Sequence, residues 1–532
     1  MIALKTQTPS YWQESFSISE DDLAYLRQYI IDHGSPVPLQ DLVLNLIKAR
    51  CQDEINAIRH ELSRGPLYQP KDSYQVGQTL IFPALQFAVG TVVGTRPGYD
   101  PSHGHFEVIQ VRFEHSGEQR EFASKLTTPH ALNRPDGENG LAFLQEAVSA
   151  EEIAKKFGNV VAQRLLEVLQ RPDSGFIQYQ GQWLVKEMLP EIHIGHLNLA
   201  EAIIDVAGQP MTPRQILAEL GLPKEIPLPI QEFALNAHLS QDERFDDVGW
   251  DGTVLWFLRR LEPDIIVNPP ARLQLLQEPY DRQSILPELV AVAKDIDFEP
   301  DQLAARGLES MVYKAHIVLT YPHWRSGTLP LSPQLAAMLP KGSYQHSRME
   351  FIDGKLGETI VGWVHHEMGF IAGLERWYQD NQIVPGAFIR LERLKKPGVL
   401  LVDFEQRRMR REWVRVATIE DGRIVFSMQK LPIACQYDED MAVSHADARV
   451  LDEFVEQIVA ERRPLARLLR EIMPELVKLN PSGAVHAKTI YSAVNLFRRT
   501  PAGPVFALLS TDPHYVYVGN GMWTYDPTRS RG

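Results

Sequence analysis

The sequence predicts an α+β chain of several domains, in which winged-helix modules, small helical units that end in a β-hairpin, are combined with small β-barrels. Three observations support this prediction. At 532 residues the chain is too long for a single hydrophobic core. Two stretches, 73–135 and 310–445, alternate polar and apolar residues and are interrupted by glycines. A helical pattern followed by short aromatic strands with a tryptophan occurs three times.

Residues 1–70 are predicted to form a helical segment of the helix-turn-helix kind. Ser19 is a suitable N-cap, and acidic residues follow it in the first turn, where the helix dipole favours them. Gly34 is expected to end this helix in a left-handed conformation. A second helix is expected from about Leu39 to Leu62, with apolar residues on one face.

Residues 73–135 are predicted to form a small barrel of SH3-like size, because short strands with glycine corners replace the helical pattern. The turn-forming residues from Arg96 to Gly104 predict a loop. His103 and His105 are interpreted as exposed residues of this loop rather than as a metal-binding pair.

The repeated unit predicts three winged helices. In each copy an aromatic residue begins a strand, a glycine-containing turn follows, and a tryptophan lies on the returning strand, as in a hairpin packed by a cross-strand aromatic pair. The copies span 148–190, 195–265 and 450–530. Their tryptophans are predicted to be hairpin core and not ligand platforms: Trp183, Trp256 and Trp523.

The second copy carries the motif GQPMTPRQI from Gly208 to Ile216, followed by Asp242-Glu-Arg-Phe245 and a Gly–Trp hairpin. These residues resemble the HARE-type helix-turn-helix family, which is similar to winged-helix modules in the delta subunit of bacterial RNA polymerase and in restriction-associated proteins. The pattern of residues 310–445 resembles the DNA-binding pseudobarrel of plant B-three-type transcription factors and restriction-enzyme effector domains. The resemblances imply a non-catalytic DNA-binding protein, associated with transcription or with foreign DNA.

The charge distribution supports a local binding surface. The net charge of −14 argues against a simple nucleic-acid binder, but local patches decide binding. Between Val384 and Arg415 nine basic residues face four acidic ones, a net charge of +5. We expect this cluster to contact phosphates, with Trp377, Tyr378 and Trp413 close by in sequence to stack on bases; the alternative is a solvated face whose arginines pair with the acids. The predicted contacts are Arg390, Arg393, Lys395, Lys396, Arg407, Arg408, Arg410, Arg411 and Arg415.

The third winged helix offers a reading helix for the DNA major groove. Its predicted contacts are Lys488, Asn495, Arg498 and Arg499. The second copy differs, because its third helix has no Lys or Arg and its hairpin carries Asp246, Asp247 and Asp251. We expect that copy to contact protein instead, since negative charge repels phosphate. An interaction scaffold that docks on RNA polymerase or another partner is therefore the alternative function.

No residue set specifies a reaction, and we predict no catalytic residue, metal site or cofactor. The cluster His365–Glu367 cannot chelate one metal, because neighbours in a strand point to opposite faces. Asp353–Lys355, with Glu350 nearby, is similar to a nuclease signature, but it is interpreted as a hairpin turn. A metal-dependent nuclease or restriction-system subunit ranks third.

The two cysteines, Cys51 and Cys435, have no CxxC partner, which argues against a disulfide framework and fits a reducing compartment. The N-terminus lacks an apolar signal region, and no apolar run is long enough to span a bilayer. The sequence therefore predicts a cytoplasmic protein with no membrane partner.

Overall fold

The structure is a computed structural model that describes residues 4–85, 87–133, 148–223, 225–296, 298–301, 312–341 and 345–529. The chain is of mixed α and β structure with several sheets, some of them curled into half-barrels. It divides into two compact units, Met1–Ile192 with Gly221–His238 and His193–Leu220 with Leu239–Gly532. Within the ranges just given, no helix has the length and apolar character needed to cross a membrane.

Helices are spread along both units, with most of the long ones near the two ends of the chain. They are α1 (Glu20–His33), α2 (Leu39–Leu62), α3 (Ala150–Leu169), α4 (Ile194–Ala207), α5 (Pro213–Leu220), α6 (Leu228–Leu239), α7 (Asp264–Val267), α8 (Pro287–Ile296), α9 (Tyr321–Arg325), α10 (Pro333–Met338), α11 (Glu375–Asp380), α12 (Ala448–Ala460), α13 (Leu465–Lys478), α14 (Ala487–Phe497) and α15 (Ala502–Thr511).

The strands form separate small sheets and one larger sheet. They are β1 (Val37–Pro38), β2 (Thr79–Phe82), β3 (Ala88–Asp100), β4 (Gly104–Phe113), β5 (Gln119–Ser124), β6 (Phe176–Tyr179), β7 (Gln182–Val185), β8 (Phe245–Asp247), β9 (Trp256–Leu258), β10 (Lys314–Val318), β11 (Thr328–Pro330), β12 (His346–Asp353), β13 (Thr359–His365), β14 (Phe370–Ala372), β15 (Phe388–Arg393), β16 (Val399–Phe404), β17 (Gln406–Glu420), β18 (Arg423–Cys435), β19 (Val443–His445), β20 (Val485–His486), β21 (Tyr515–Gly519) and β22 (Met522–Tyr525).

The first helix begins and ends as its sequence predicts. The Ser19 hydroxyl accepts a hydrogen bond from the backbone N–H of Asp22, whose carboxylate accepts one from the Ser19 N–H, so the two residues form a capping box. Gly34 ends the helix at φ +68°, a left-handed conformation that costs glycine little.

The N-terminal segment and the first predicted winged helix are not separate bodies. Strand β1 pairs with β7, which pairs with β6, so one three-stranded sheet joins them in the order β1-β7-β6. Leu26 of α1, Leu42 of α2 and Trp183 of β7 lie in a single buried cluster. The predicted division at residues 70 and 148 is therefore corrected: residues 73–135 interrupt one helical unit.

Residues 73–135 contain an antiparallel sheet in the order β2-β3-β4-β5, with a core that includes Phe82, Ile109 and Phe113. The loop predicted from Arg96 to Gly104 is wrong, because β3 and β4 stay paired as far as Asp100 and Gly104. Strand β2 pairs only with Ala88–Thr91 of β3, so the far half of β3 is an edge on that side, where a proline is tolerated.

The second unit is built around a seven-stranded sheet in the order β10-β15-β16-β12-β13-β14-β11. Strands β12 and β16 are parallel, and the other neighbours are antiparallel. A three-stranded sheet, β18-β17-β19, follows. The long hairpin of β17 and β18 stays paired from Arg410 to Glu420 and has an irregular register between Gln406 and Arg410.

The end of the chain repeats the arrangement of the beginning. Helix α13, strand β20, helices α14 and α15 and the hairpin β21–β22 follow one another, and the sheet order is β20-β22-β21. The prediction that the hairpin tryptophans are core residues is confirmed, because each is at most 2% exposed: Trp183, Trp256 and Trp523.

Candidate nucleic-acid interface

The hairpin of β17 and β18, which we call the ribbon, carries three exposed arginines of the basic cluster and exposed Trp413. Trp377 and Tyr378 are 5% and 2% exposed, so the prediction that they stack on bases is wrong. Trp413 lies directly opposite Lys430 in the ladder, and Arg411 lies opposite Pro432. Opposite residues share a face, and so do residues two apart on a strand, so these four side chains lie on the same face. Trp413 is 59% exposed, and the Lys430 ammonium lies 5.1 Å from the centre of its ring. The ribbon therefore presents an aromatic ring with a cation stacked on it.

Three exposed arginines lie toward the beginning of β17; Arg411 shares the face of Trp413, whereas its neighbour Arg410 points to the other face of the strand. Arg408, Arg410 and Arg411 are all exposed, and none forms an ion pair with a residue that the structure describes. Exposed Met409 lies among them. Guanidinium groups in water have five N–H donors each and keep their charge, so this segment can accept anionic groups without first breaking a bond within the protein.

The other predicted bases of the cluster divide into three groups. Arg390 pairs with Asp403 at 2.7 Å, Lys396 with Glu350 at 2.8 Å, and Arg407 with Glu412 at 3.2 Å. The Arg390 and Lys396 side chains are exposed, and such pairs exchange readily with solvent, whereas Arg407 is partly buried. Arg415 is largely buried, which lowers the pKa of its guanidinium, and it donates to the Glu439 carbonyl at 3.2 Å. Two residues have no ion pair within the described ranges, half-buried Arg393 and exposed Lys395.

The predicted reading helix of the C-terminal module is wrong. Asn495 is 1% exposed and donates to the carbonyl oxygens of Tyr491 and Thr500. Lys488 is partly buried and pairs with Asp438 at 2.8 Å. Of the residues of α14, Lys488 alone is not buried. The helix is therefore buried on nearly every side, with Ile490, Val494 and Phe497 among its core residues. The hydroxyl groups of Thr489 and Ser492 donate to backbone carbonyl oxygens.

Arg498 and Arg499 are interior residues for the same reason. Arg498 is 5% exposed; it pairs with Glu278 at 2.8 Å and donates to the Arg463 carbonyl at 2.8 Å. Arg499 is 1% exposed and donates from Nε and Nη2 to both carboxylate oxygens of Glu299. Neither guanidinium can reach a nucleic acid without unfolding its surroundings, and both are structural.

Glu299 is the centre of this buried network, which the sequence did not reveal. Its Oε1 also forms a hydrogen bond with Nε2 of His323 at 2.9 Å. Burial alone would raise the pKa of Glu299, but the charges of Arg499 and His323 outweigh it and lower the pKa to about 2. The partners are 24 and 200 residues away along the chain, so no local motif indicates them.

The aspartates of the hairpin β8–β9 do not form the exposed acidic surface that the sequence predicts. Asp247 is 3% exposed, and its Oδ1 accepts from the N–H groups of Gly249 and Leu255 at 3.0 and 2.9 Å. The Asp246 side chain is 13% exposed. Only Asp251 is exposed. The first two aspartates organise the hairpin internally, so the predicted acidic surface for a protein partner is corrected.

The nuclease-like tripeptide is the hairpin turn that the sequence analysis favours. Asp353 is 5% exposed; its Oδ1 accepts from the N–H groups of Lys355 and Leu356, and its Oδ2 accepts from the Trp377 indole at 2.8 Å. A carboxylate held by three protein donors serves the turn between β12 and β13.

The histidines that the sequence analysis considered as metal ligands contact other protein groups or solvent. His366 bonds to the Ser347 hydroxyl at 3.0 Å, whereas His365 packs its ring against His346, with 4.7 Å between ring centres. His103, in the turn before β4, and His105, in β4, are both exposed, and His103 bonds to the Thr128 hydroxyl.

One group of side chains has metal-ligand character within the described part of the chain. Its members, Asp246, Glu262 and His346, come from three distant segments, which is why no sequence motif predicts them.

Comparison with protein-family models, with characterised proteins and with solved structures finds no match.

Proposed function

We propose that the chain is a non-catalytic protein that binds duplex DNA through the ribbon. One observation carries the proposal: Arg408, Arg410 and Arg411 are exposed and without ion pairs among the described residues, next to the exposed pair of Trp413 and Lys430. A chain with a net charge of −14 that leaves three such arginines together concentrates its positive potential at one place.

The form of the ribbon suits a DNA groove. The major groove of B-DNA, about 12 Å wide, admits a two-stranded β-ribbon. The planar guanidinium group of arginine can donate two parallel hydrogen bonds to phosphate oxygens or to the major-groove edge of guanine. Three arginines and Lys430 provide about four phosphate contacts, for which the logarithm of affinity should fall with the logarithm of salt concentration with a slope of about −3.6.

The surrounding modules support the assignment by their topology. We infer that the two sheets of order β1-β7-β6 and β20-β22-β21, each with helices placed between the first strand and the hairpin, belong to winged-helix modules. We likewise infer a pseudobarrel from the seven-stranded sheet and the ribbon that follows it. In this proposal the C-terminal module does not contact DNA through α14, because that helix is buried and unavailable as a reading helix.

The test uses the full-length chain and a fluorescently labelled DNA duplex, with binding followed by anisotropy at low salt. The triple variant Arg408→Ala/Arg410→Ala/Arg411→Ala should lose most of the affinity, because three phosphate contacts disappear. A matched control removes the same charge from exposed helical arginines elsewhere in the second unit, Arg376→Ala/Arg449→Ala/Arg467→Ala. Equal affinity of the two triple variants would contradict the proposal.

A protein partner is the second candidate, and the apolar part of the same surface favours it. Met409 and Trp413 are 53% and 59% exposed, and Met428 on the opposite strand is 36% exposed. Methionine and tryptophan are enriched in protein interfaces. The two candidates differ in salt response: DNA binding should weaken steeply with added salt, whereas a contact built on Met409 and Trp413 should change little.

A further inference from the structure

A buried cluster in the second unit has the composition of a metal site. Asp246 lies in the middle of β8, Glu262 follows the turn Arg259–Leu261, and His346 is the first residue of β12. The His346 Nδ1 lies 3.0 Å from Oε2 of Glu262 and 3.2 Å from Oδ2 of Asp246. The three candidate ligand atoms all lie within 4.8 Å of one another.

The protein satisfies only some of the polar atoms of this cluster: Nδ1 of His346 and Oε2 of Glu262 bond to each other at 3.0 Å. The Glu262 side chain is completely buried, and its Oε1 has no hydrogen-bond donor in the described ranges. Nε2 of His346 likewise has no hydrogen-bond partner there, and Oδ2 of Asp246 has only the contact of 3.2 Å with Nδ1 of His346. A buried carboxylate oxygen without a donor is costly, and two carboxylates beside each other repel. A cation among the three groups removes both costs.

The spacing of the ligand atoms matches the coordination shell of a transition metal. Nitrogen and oxygen ligands bind Zn²⁺ at about 2.0–2.2 Å, so neighbouring ligands of an octahedral or tetrahedral shell lie about 3.0–3.5 Å apart. The two measured separations from His346 Nδ1, 3.0 and 3.2 Å, fall in this range. One imidazole with two carboxylates suits borderline ions such as Zn²⁺ and Mn²⁺ better than Ca²⁺, which prefers an all-oxygen site.

We propose that Asp246, Glu262 and His346 bind one divalent transition-metal ion, Zn²⁺ or Mn²⁺, which fastens the hairpin β8–β9 to strand β12. The backbone already places these segments together, because the Arg348 N–H donates to the Val248 carbonyl at 2.9 Å. The site is independent of the ribbon, so DNA binding and metal binding can fail separately.

The first experiment measures metal binding by the full-length chain. Protein dialysed against a chelator is titrated calorimetrically with ZnCl₂ and, separately, with MnCl₂, and its melting temperature is recorded with and without each ion. We expect one equivalent to bind and the melting temperature to rise, since a ligand that binds the folded state alone stabilises it. If neither ion binds, the three groups share a proton instead of a metal, and the proposal fails.

Variants then locate the ion. His346→Gln and Glu262→Gln should each weaken binding at least about 100-fold, because loss of a direct ligand costs more than loss of an outer-shell contact. The control is His316→Gln, at an exposed position of β10, which should bind as the wild type does. Unchanged affinity in both ligand variants would overturn the assignment.

A fallback keeps the test decisive if a buried variant fails to fold. Asp246→Asn changes the least buried member, and circular dichroism establishes its folding before titration. Co²⁺ provides an independent readout, since visible absorption bands on loading the wild type report nitrogen and oxygen ligands. Bands of equal intensity in Asp246→Asn would contradict the site.

Discussion

Arg499 offers the sharpest test of how the second unit is held together. Its single Nε–H is shared between the two carboxylate oxygens of Glu299, and Nη2 donates to one of them, at 2.7–3.1 Å. The guanidinium also donates to the carbonyl oxygens of Leu273, Met368 and Gly369 at 2.7–2.9 Å. Side chains of both members of the ion pair are at most 2% exposed. Arg499→Met keeps the volume of the side chain but leaves the Glu299 charge and the three carbonyl groups without these donors.

The expected loss in the free energy of unfolding follows from these hydrogen bonds. Removing one partner of a buried, hydrogen-bonded ion pair destabilises a protein by about 3–5 kcal/mol, because the other charge stays buried without compensation. A typical domain has a free energy of unfolding of about 5–15 kcal/mol, so Arg499→Met should remove about a fifth or more of it. The double variant Arg499→Met/Glu299→Gln should lose less than the sum of the single variants, since it removes the stranded charge.

Urea unfolding followed by circular dichroism measures these changes, with the transition of each unit fitted separately. Arg376→Ala is the control, because its side chain is 92% exposed and its loss should change the free energy of unfolding by less than about 0.5 kcal/mol. If Arg499→Met unfolds at the same urea concentration as this control, the buried network does not stabilise the fold and our account of it is wrong.

Two further predictions concern pH and the hairpin cores. Glu299 has a folded pKa of about 2 against an ordinary value of 4.5, and burial, only partly offset by the Glu299 charge, lowers the pKa of His323 below 6.5. The unfolded chain therefore binds more protons in acid, so stability should decline as pH falls below about 6.5 and again from about 4.5 to about 2; a thermal melt series without this decline would contradict it. Trp183→Ala, at a residue 1% exposed, should destabilise the first unit by about 3–5 kcal/mol. Trp413→Ala, at a residue 59% exposed, should cost less than about 0.5 kcal/mol, and equal losses in urea would refute the assignment of core and surface.

Local structure was predictable from the sequence wherever residues close together in the chain determine it. The capping box at Ser19 and the left-handed Gly34 follow from side chains within one turn of the helix. The tryptophans of the three hairpins follow from strand alternation around a glycine turn. The Asp353 turn follows in the same way.

Pairings between distant segments were not predictable. Nothing near Val37 indicates that β1 adds to the hairpin that begins at Phe176, although this pairing makes residues 1–70 and 148–190 a single unit. The same holds for the group of Asp246, Glu262 and His346, whose members meet only when β12 lies against the hairpin β8–β9.

The error at α14 has a specific physical cause. Lys488, Asn495, Arg498 and Arg499 have the composition of a reading helix, but most of the residues between them are apolar and all of them are buried. Hydrophobic burial of that many side chains outweighs the cost of taking two guanidinium groups inside, provided each finds a carboxylate, as Arg499 finds Glu299. The apolar residues of α14 indicated its burial better than the number of basic residues indicated an exposed surface.

The salt dependence of DNA binding tests the central claim most directly. We predict that the logarithm of affinity of the full-length chain falls with the logarithm of salt concentration with a slope of about −3.6, and that the triple variant Arg408→Ala/Arg410→Ala/Arg411→Ala has a slope shallower by about 2.7, which is three phosphate contacts. An identical slope for the wild type and this variant would show that the ribbon does not carry the contact with DNA.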